Sequence, residues 1–329
     1  MSNGKELVFD AFNNKTTERV PVGFWFHFTQ NELISVYEKP EMREQNLKGH
    51  KKFVQEFKPD LVKLMSDGYF FEPETAAKIR AAKKAEDLFS LKPISADDKW
   101  VRDQVSLVKE LTSSFGKEAA TFYNLFAPAT AFKWAVDGAD KKLAALIKEN
   151  KAAVIYALSV LAKNTAIVAD AVINEGGADG IYLSVQTIQD LSIGPDLYSE
   201  VISPSELYIL TAANAAGGKN ILHICGYEGA RNNLSIFKNY PAQAINYAAT
   251  VEGITLGQAK KLFGGKTVIG GFDNTVKGLL YKGTKEQIQA ETKRLLDEAG
   301  KTGIILGADC TVPKDISFER FEWVREAAK

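Results

Sequence analysis

Short apolar runs alternate with longer helix-patterned segments along the whole chain, and this rhythm limits the fold more than any other feature. The runs are residues 21–28 (PVGFWFHF), 61–67 (LVKLMSD), 121–128 (TFYNLFAP), 180–185 (GIYLSV), 220–226 (NILHICG), 244–248 (AINYA), 267–273 (TVIGGFD) and 303–310 (GIILGADC). Helical periodicity fills much of the space between them, at 140–175, 203–216, 257–263 and 285–299. Strands that are apolar nearly throughout are buried on both faces, and strands separated by helices pair in parallel. Eight such units predict an α/β fold, a (β/α)8 TIM barrel, with a doubly wound open sheet as the rival. The intervals after residues 67 and 128 are long enough for extra helices and for a loop, 92–99, arching over the barrel mouth. Extra helices at the N-terminus and long mouth loops complete the expectation. No linker or repeat divides residues 1–329, which reads as one domain.

The barrel reading places active-site groups at the C-terminal strand ends. The polar residues there are His27, Asp67, Ser184, Gln186, His223, Cys225, Asn246, Tyr247, Asp273 and Cys310. The chain has only two cysteines and three histidines, so both cysteines and two of the histidines fall at strand ends. The third, His50 in LysGlyHisLysLys, reads as an inert surface residue. His223 and Cys225 are two apart on one strand and share a face. Cys310 ends the last strand. One His and two Cys form a soft donor set suited to Zn²⁺ with an open fourth position. The alternatives are two free cysteines used as small apolar fillers and, with no CxxC to favour it, a redox pair.

Charge narrows the partners. Lys plus Arg and Asp plus Glu both number 41, so bulk charge would not hold the chain to nucleic acid or an anionic membrane. The N-terminal run has no secretory pattern, and no uncharged apolar stretch of about 18 residues suggests a spanning helix. A reducing cytoplasm is the expected setting.

Three runs, NILHICGYEG, GGKTVIGGFDNT and GIILGADCTVPKDISFERFEWVREA, resemble the uroporphyrinogen decarboxylase superfamily. The segments KELVFDAFNNKTTERVPV, GGADGIYLSVQ and ISPSELYILTAANAA extend the likeness over most of the chain. The resemblance implies a (β/α)8 barrel and one of two chemistries. Decarboxylases of the superfamily carry an arginine-rich run resembling PVWFMRQAGRY; this chain has PVGFWFHFTQNEL, with no Arg between Arg19 and Arg43. The other branch, the corrinoid:thiol (coenzyme M-type) methyltransferases, holds zinc through His-x-Cys and a late Cys. His223, Cys225 and Cys310 in the GADC run match that pattern.

The resemblance therefore implies Zn²⁺ on His223, Cys225 and Cys310, a small-molecule thiol, and a methylcobamide as co-substrate. The chain lacks the AspxHisxxGly run of a corrinoid-binding module, so a partner protein would carry the corrinoid. Where relatives often place an acid at the end of the sixth strand, this chain has Asn246 or Tyr247. An Asn246 oxygen or a water would then hold the fourth metal position. Asp67, Asn246 and Tyr247 are the catalytic candidates. His27, Gln186 and Asp273 are the cofactor-contacting ones. Gly270 and Gly271 read either as a close ligand approach or as a β-bulge. Phe24, Trp25, Phe26 and Phe28 read as packing residues, and Tyr182 as a residue facing the mouth. The competing functions are a decarboxylase-like carbon–carbon lyase and a non-catalytic barrel that binds a ligand in its pocket.

Overall fold

The computed structural model describes residues 3–136, 140–187, 192–226 and 230–329. Among these described residues seven strands form one parallel sheet: β1 (Leu61–Leu64), β2 (Ala120–Phe126), β3 (Gly180–Val185), β4 (Ile221–Ile224), β5 (Ala244–Tyr247), β6 (Thr267–Phe272) and β7 (Ile304–Ala308). They pair strictly in chain order. A doubly wound sheet reverses its order at a switch point, so this order excludes that rival.

The first expected strand is not among the seven. Residues 21–26 instead form an extended segment with one bridge, Val22 to Leu306. Gly23 N donates to Leu306 O, and Pro21 O accepts from Leu306 N, both at 2.9 Å. On its other side Val22 O accepts from Asp60 N at 3.1 Å, and Asp60 directly precedes β1. The segment therefore touches both sheet edges, through too few bonds to make a ladder. The approach is close: a Cβ on Gly307 would stand 2.7 Å from Gly23 O.

Strand alternation sorts the apolar residues into two cores. Leu61, Phe122, Tyr182, Ile221, Ala244, Ile269 and Ile305 point inward and pack with Trp25. Val8 and Ala11 of the helix Gly4–Phe12 join them from the end opposite the candidate site. The intervening residues, such as Val62, Tyr123, Leu183, Leu222 and Tyr247, pack outward against the helices. Phe24, Trp25 and Phe26 are buried as expected.

The long helix Asp140–Asn174 is broken at Asn150, where φ is −153° and ψ 92°. Asn150 Oδ1 accepts from Ala153 N and starts the second half. By length and composition alone residues 142–174 could cross a membrane, although Lys148, Glu149, Lys151, Lys163 and Asp170 interrupt the stretch. Here Val154, Ala157, Leu158 and Val168 are fully covered by protein. The stretch 92–99 is tied along this helix: Ile94 N donates to Asn164 Oδ1, and Tyr156 OH donates to Leu91 O. The helix carries it, and the expected arch over the strand ends is not formed by these contacts.

His50 corrects the surface reading. It lies on the buried stripe Asn46, His50, Phe53, Val54 and Phe57 of the helix Glu41–Phe57, and its lysine neighbours occupy the other face. Its Nδ1 donates to Asn46 O, and its Nε2 accepts from Met65 N. Burial pushes its pKa down to about 4. A base depressed in the folded state is fully stabilising above its unfolded pKa and loses that contribution as pH falls. Between pH 7 and 4, wild-type unfolding free energy should therefore drop by about 3 kcal/mol relative to a His50→Gln variant. Denaturant titrations at both pH values check this, and parallel curves for the two proteins would refute it.

Candidate metal centre

The inner face of β4 carries Ile221 and His223, and the same alternation continues to Cys225 just beyond the strand. Cys225 N donates to Val185 O at 2.8 Å and stays in register with β3. Two residues past β7, Cys310 turns into the same space. The donor atoms of His223, Cys225 and Cys310 all lie within 4.8 Å of one another. His223 Nε2 is 3.6 Å from Cys310 Sγ. Zinc–nitrogen and zinc–sulfur bonds at a tetrahedral angle would separate N from S by about 3.6 Å, so the donor set fits a tetrahedral metal.

The imidazole is oriented from behind. Asn246 Nδ2 donates to Ile269 O and Ala308 O, which leaves Oδ1 as an acceptor. That oxygen receives His223 Nδ1 at 2.5 Å and Tyr182 OH at 2.6 Å. Nδ1 therefore carries the proton, and Nε2 presents a lone pair toward the sulfurs. The Tyr182 ring also stacks on His223, with centroids 5.2 Å apart. Burial first, then the two sulfurs, hold the Tyr182 hydroxyl well above its usual pKa and keep it a donor. Asn246 Oδ1 thus sits at the nitrogen facing away from the sulfurs, not at a fourth metal position.

The two thiols are shifted in opposite directions by their contact with one another. A hydrogen bond from Cys225 pulls Cys310 far down against its burial, with help from His223 and Lys63. Cys225 is pushed up by the same bond and by burial. The chain around each sulfur is anchored. Asn232 Nδ2 donates to Cys225 O and to Glu252 Oε1, and Asn232 N donates to the Glu252 carboxylate. Next to Cys310, Asp309 Oδ2 accepts from Thr250 N at 2.8 Å and from Thr250 Oγ1. Burial raises Asp309 to about 7.

Asp67 is fully buried and accepts from His27 Nδ1 at 2.7 Å, Phe28 N at 3.0 Å and Thr29 N at 3.3 Å. Burial opposes ionisation, but these donors prevail and its pKa is lowered. The Asp67–His27 pair therefore locks residues 27–29 to the end of β1. Gln186 is buried beyond β3 with Oε1 unpartnered. Tyr247 faces the opposite side of β5 from Asn246, and its OH donates to Ile254 O at 3.0 Å. Asp273 Oδ1 caps a turn by accepting from Thr275 N. Gly270 and Gly271 have φ of 146° and 113°, and a Cβ on Gly271 would strike Leu295 at 2.8 Å. That space belongs to the protein and not to a ligand. Residues 227–229, in the NILHICGYEG run, lie outside the described residues.

Lys63 escaped the sequence reading. It points into the barrel between apolar neighbours, 5% exposed, with Nζ 4.1 Å from the Tyr182 ring centroid and 5.8 Å from that of Trp25. Burial pushes it down to about 8, while Cys310, Cys225 and Asp67 favour its charged form. A lysine at an inward register position of an apolar strand was the available signal.

The sequence profile of uroporphyrinogen decarboxylase (URO-D) matches residues 62–329. The chain belongs to this family. No curated protein matches the chain in sequence. Among solved structures, this URO-D family member resembles a methyltransferase from Methanosarcina mazei, with TM-score 0.73 and 15% identity over 100% of this chain and 98% of the other. It also resembles a B12-independent methionine synthase from Shewanella sp. W3-18-1 in complex with selenomethionine, with TM-score 0.55 and 12% identity over 94% and 97%. A putative vitamin-B12 independent methionine synthase from Listeria monocytogenes gives TM-score 0.55 and 12% identity over 95% and 98%. At these identities the likeness shows a shared fold.

Proposed function

We propose that this URO-D family protein is a zinc-dependent methyltransferase that moves a methyl group between a corrinoid and a thiol. The observation carrying this reading is the convergence of His223, Cys225 and Cys310, with the Nε2 lone pair aimed at the sulfurs. These three residues would hold the metal. Zinc bound there would supply the Lewis acidity that favours a thiolate over a thiol near neutral pH. Asn246 and Tyr182 hold the imidazole in one tautomer, and the Asn232 and Asp309 contacts hold the two cysteine segments. Transfer breaks a cobalt–carbon bond, forms a sulfur–carbon bond, leaves the electron pair on cobalt and sends the thiol proton to solvent. A partner protein brings the methylcobamide, and the free cysteines suit a reducing cytoplasm.

The lyase alternative needs arginines for the substrate carboxylates. Those flanking the segment are committed elsewhere: Arg19 pairs with Asp60 at 2.6 Å, and Arg43 reaches Glu110 at 3.4 Å. The test is incubation with methylcobalamin and a panel of small thiols. At least one methyl thioether is expected together with reduced cobalamin, and chelation should stop its formation. Release of CO₂ from a uroporphyrinogen without any methyl transfer would reverse the assignment.

A further inference from the structure

A buried ammonium requires a compensating negative charge. Among the described residues Lys63 forms no ion pair with a carboxylate. Of the three groups whose negative charge favours that of Lys63, Cys310, Cys225 and Asp67, the carboxylate is already engaged by His27, Phe28 and Thr29. The two sulfurs remain. The nearer of the two rings under Lys63 Nζ, Tyr182, stacks on His223 and shares Asn246 Oδ1 with it. The ammonium is thus built into the wall that carries the donor set.

We propose that Lys63 is the fixed counter-cation of the His223–Cys225–Cys310 centre and makes that centre prefer an anionic fourth ligand over a neutral one. The charge count supports this, and it rests on the metal reading above. A divalent metal with two thiolates and a neutral imidazole is neutral. A thiolate in the fourth position brings the total to minus one, which Lys63 cancels; a neutral ligand leaves the lysine uncompensated. Lys63 is a positioning residue, acting through its field and not by touching substrate.

Cobalt-substituted protein tests this through its visible spectrum, titrated with 2-mercaptoethanol as the anionic probe and imidazole as the neutral one. In Lys63→Met the side chain keeps its length and loses its charge. Thiol affinity should fall about tenfold, the scale of one nearby opposite charge, while imidazole affinity should not fall. The metal-free variant should still fold, because no buried ammonium remains and the Cys310 sulfur can take up a proton in place of its lost counter-charge. Equal losses for both probes, no loss for either, or a variant that fails to fold would make the lysine a packing residue and overturn the inference. Wild-type protein that takes up no cobalt would overturn the metal reading itself, and this inference with it.

Discussion

Wild-type protein purified without chelator should carry close to one zinc per chain, and Cys310→Ser should carry almost none. Serine offers a hydroxyl that stays protonated where the thiolate would bind, so the soft three-donor set drops to two. Outer partners of a metal ligand alone are worth roughly 10–100-fold in affinity, so removing a donor atom should cost more than about 100-fold. Cys225→Ser should behave in the same way. Both cysteines are only partly buried, and neither belongs to the two apolar clusters, so each variant should melt within about 1 kcal/mol of metal-free wild type. Metal analysis by mass spectrometry and a melting curve on the same samples separate lost binding from lost folding. Equal zinc in wild type and both variants would remove the donor assignment.

The strand pattern was legible because parallel strands buried on both faces must be apolar throughout. The run 180–185 coincides with β3, and six others differ from their strands only at the ends. The run 21–28 misled because burial and extension, which make a sequence look like a strand, do not guarantee a ladder of hydrogen bonds. The segment is buried through Phe24 and Trp25 yet makes one bridge. The convergence of His223, Cys225 and Cys310 was legible because residue identity and strand alternation together carried the information. What supports them was not. Asn246 was expected as a ligand because it aligns with a strand-end acid of the relatives, but the pairing His223↔Asn246 and the bond between their side chains put its amide behind the ring. His50 was misread because its lysine neighbours suggested a solvent-facing site, although helical period puts it on a buried stripe; Lys63 was passed over, although register puts it inside the barrel.

Asn246→Leu should be among the most damaging single substitutions outside the donor set, through two separable effects. The amide satisfies four groups at once: His223 Nδ1, Tyr182 OH, Ile269 O and Ala308 O. Leucine keeps the branched shape with somewhat greater bulk and satisfies none. Each buried polar group left unpaired costs about 1–3 kcal/mol, so unfolding free energy should fall by several kcal/mol, read from denaturant titration. Zinc affinity should fall separately by about 10–100-fold, because nothing then fixes the proton on Nδ1 or the ring plane. Asn246→Asp separates the two effects. Its carboxylate can accept from His223 and Tyr182 but cannot donate to Ile269 O or Ala308 O, so zinc affinity should recover while stability stays low. Tyr182→Phe removes one of the two donors to Oδ1 and leaves the Asn246–His223 bond intact; its zinc affinity should stay nearer wild type than that of Asn246→Leu. If Asn246→Leu bound zinc as tightly as wild type, the imidazole would be held by packing alone, against the stacked Tyr182 ring, and the amide would serve only the strand ends it bridges.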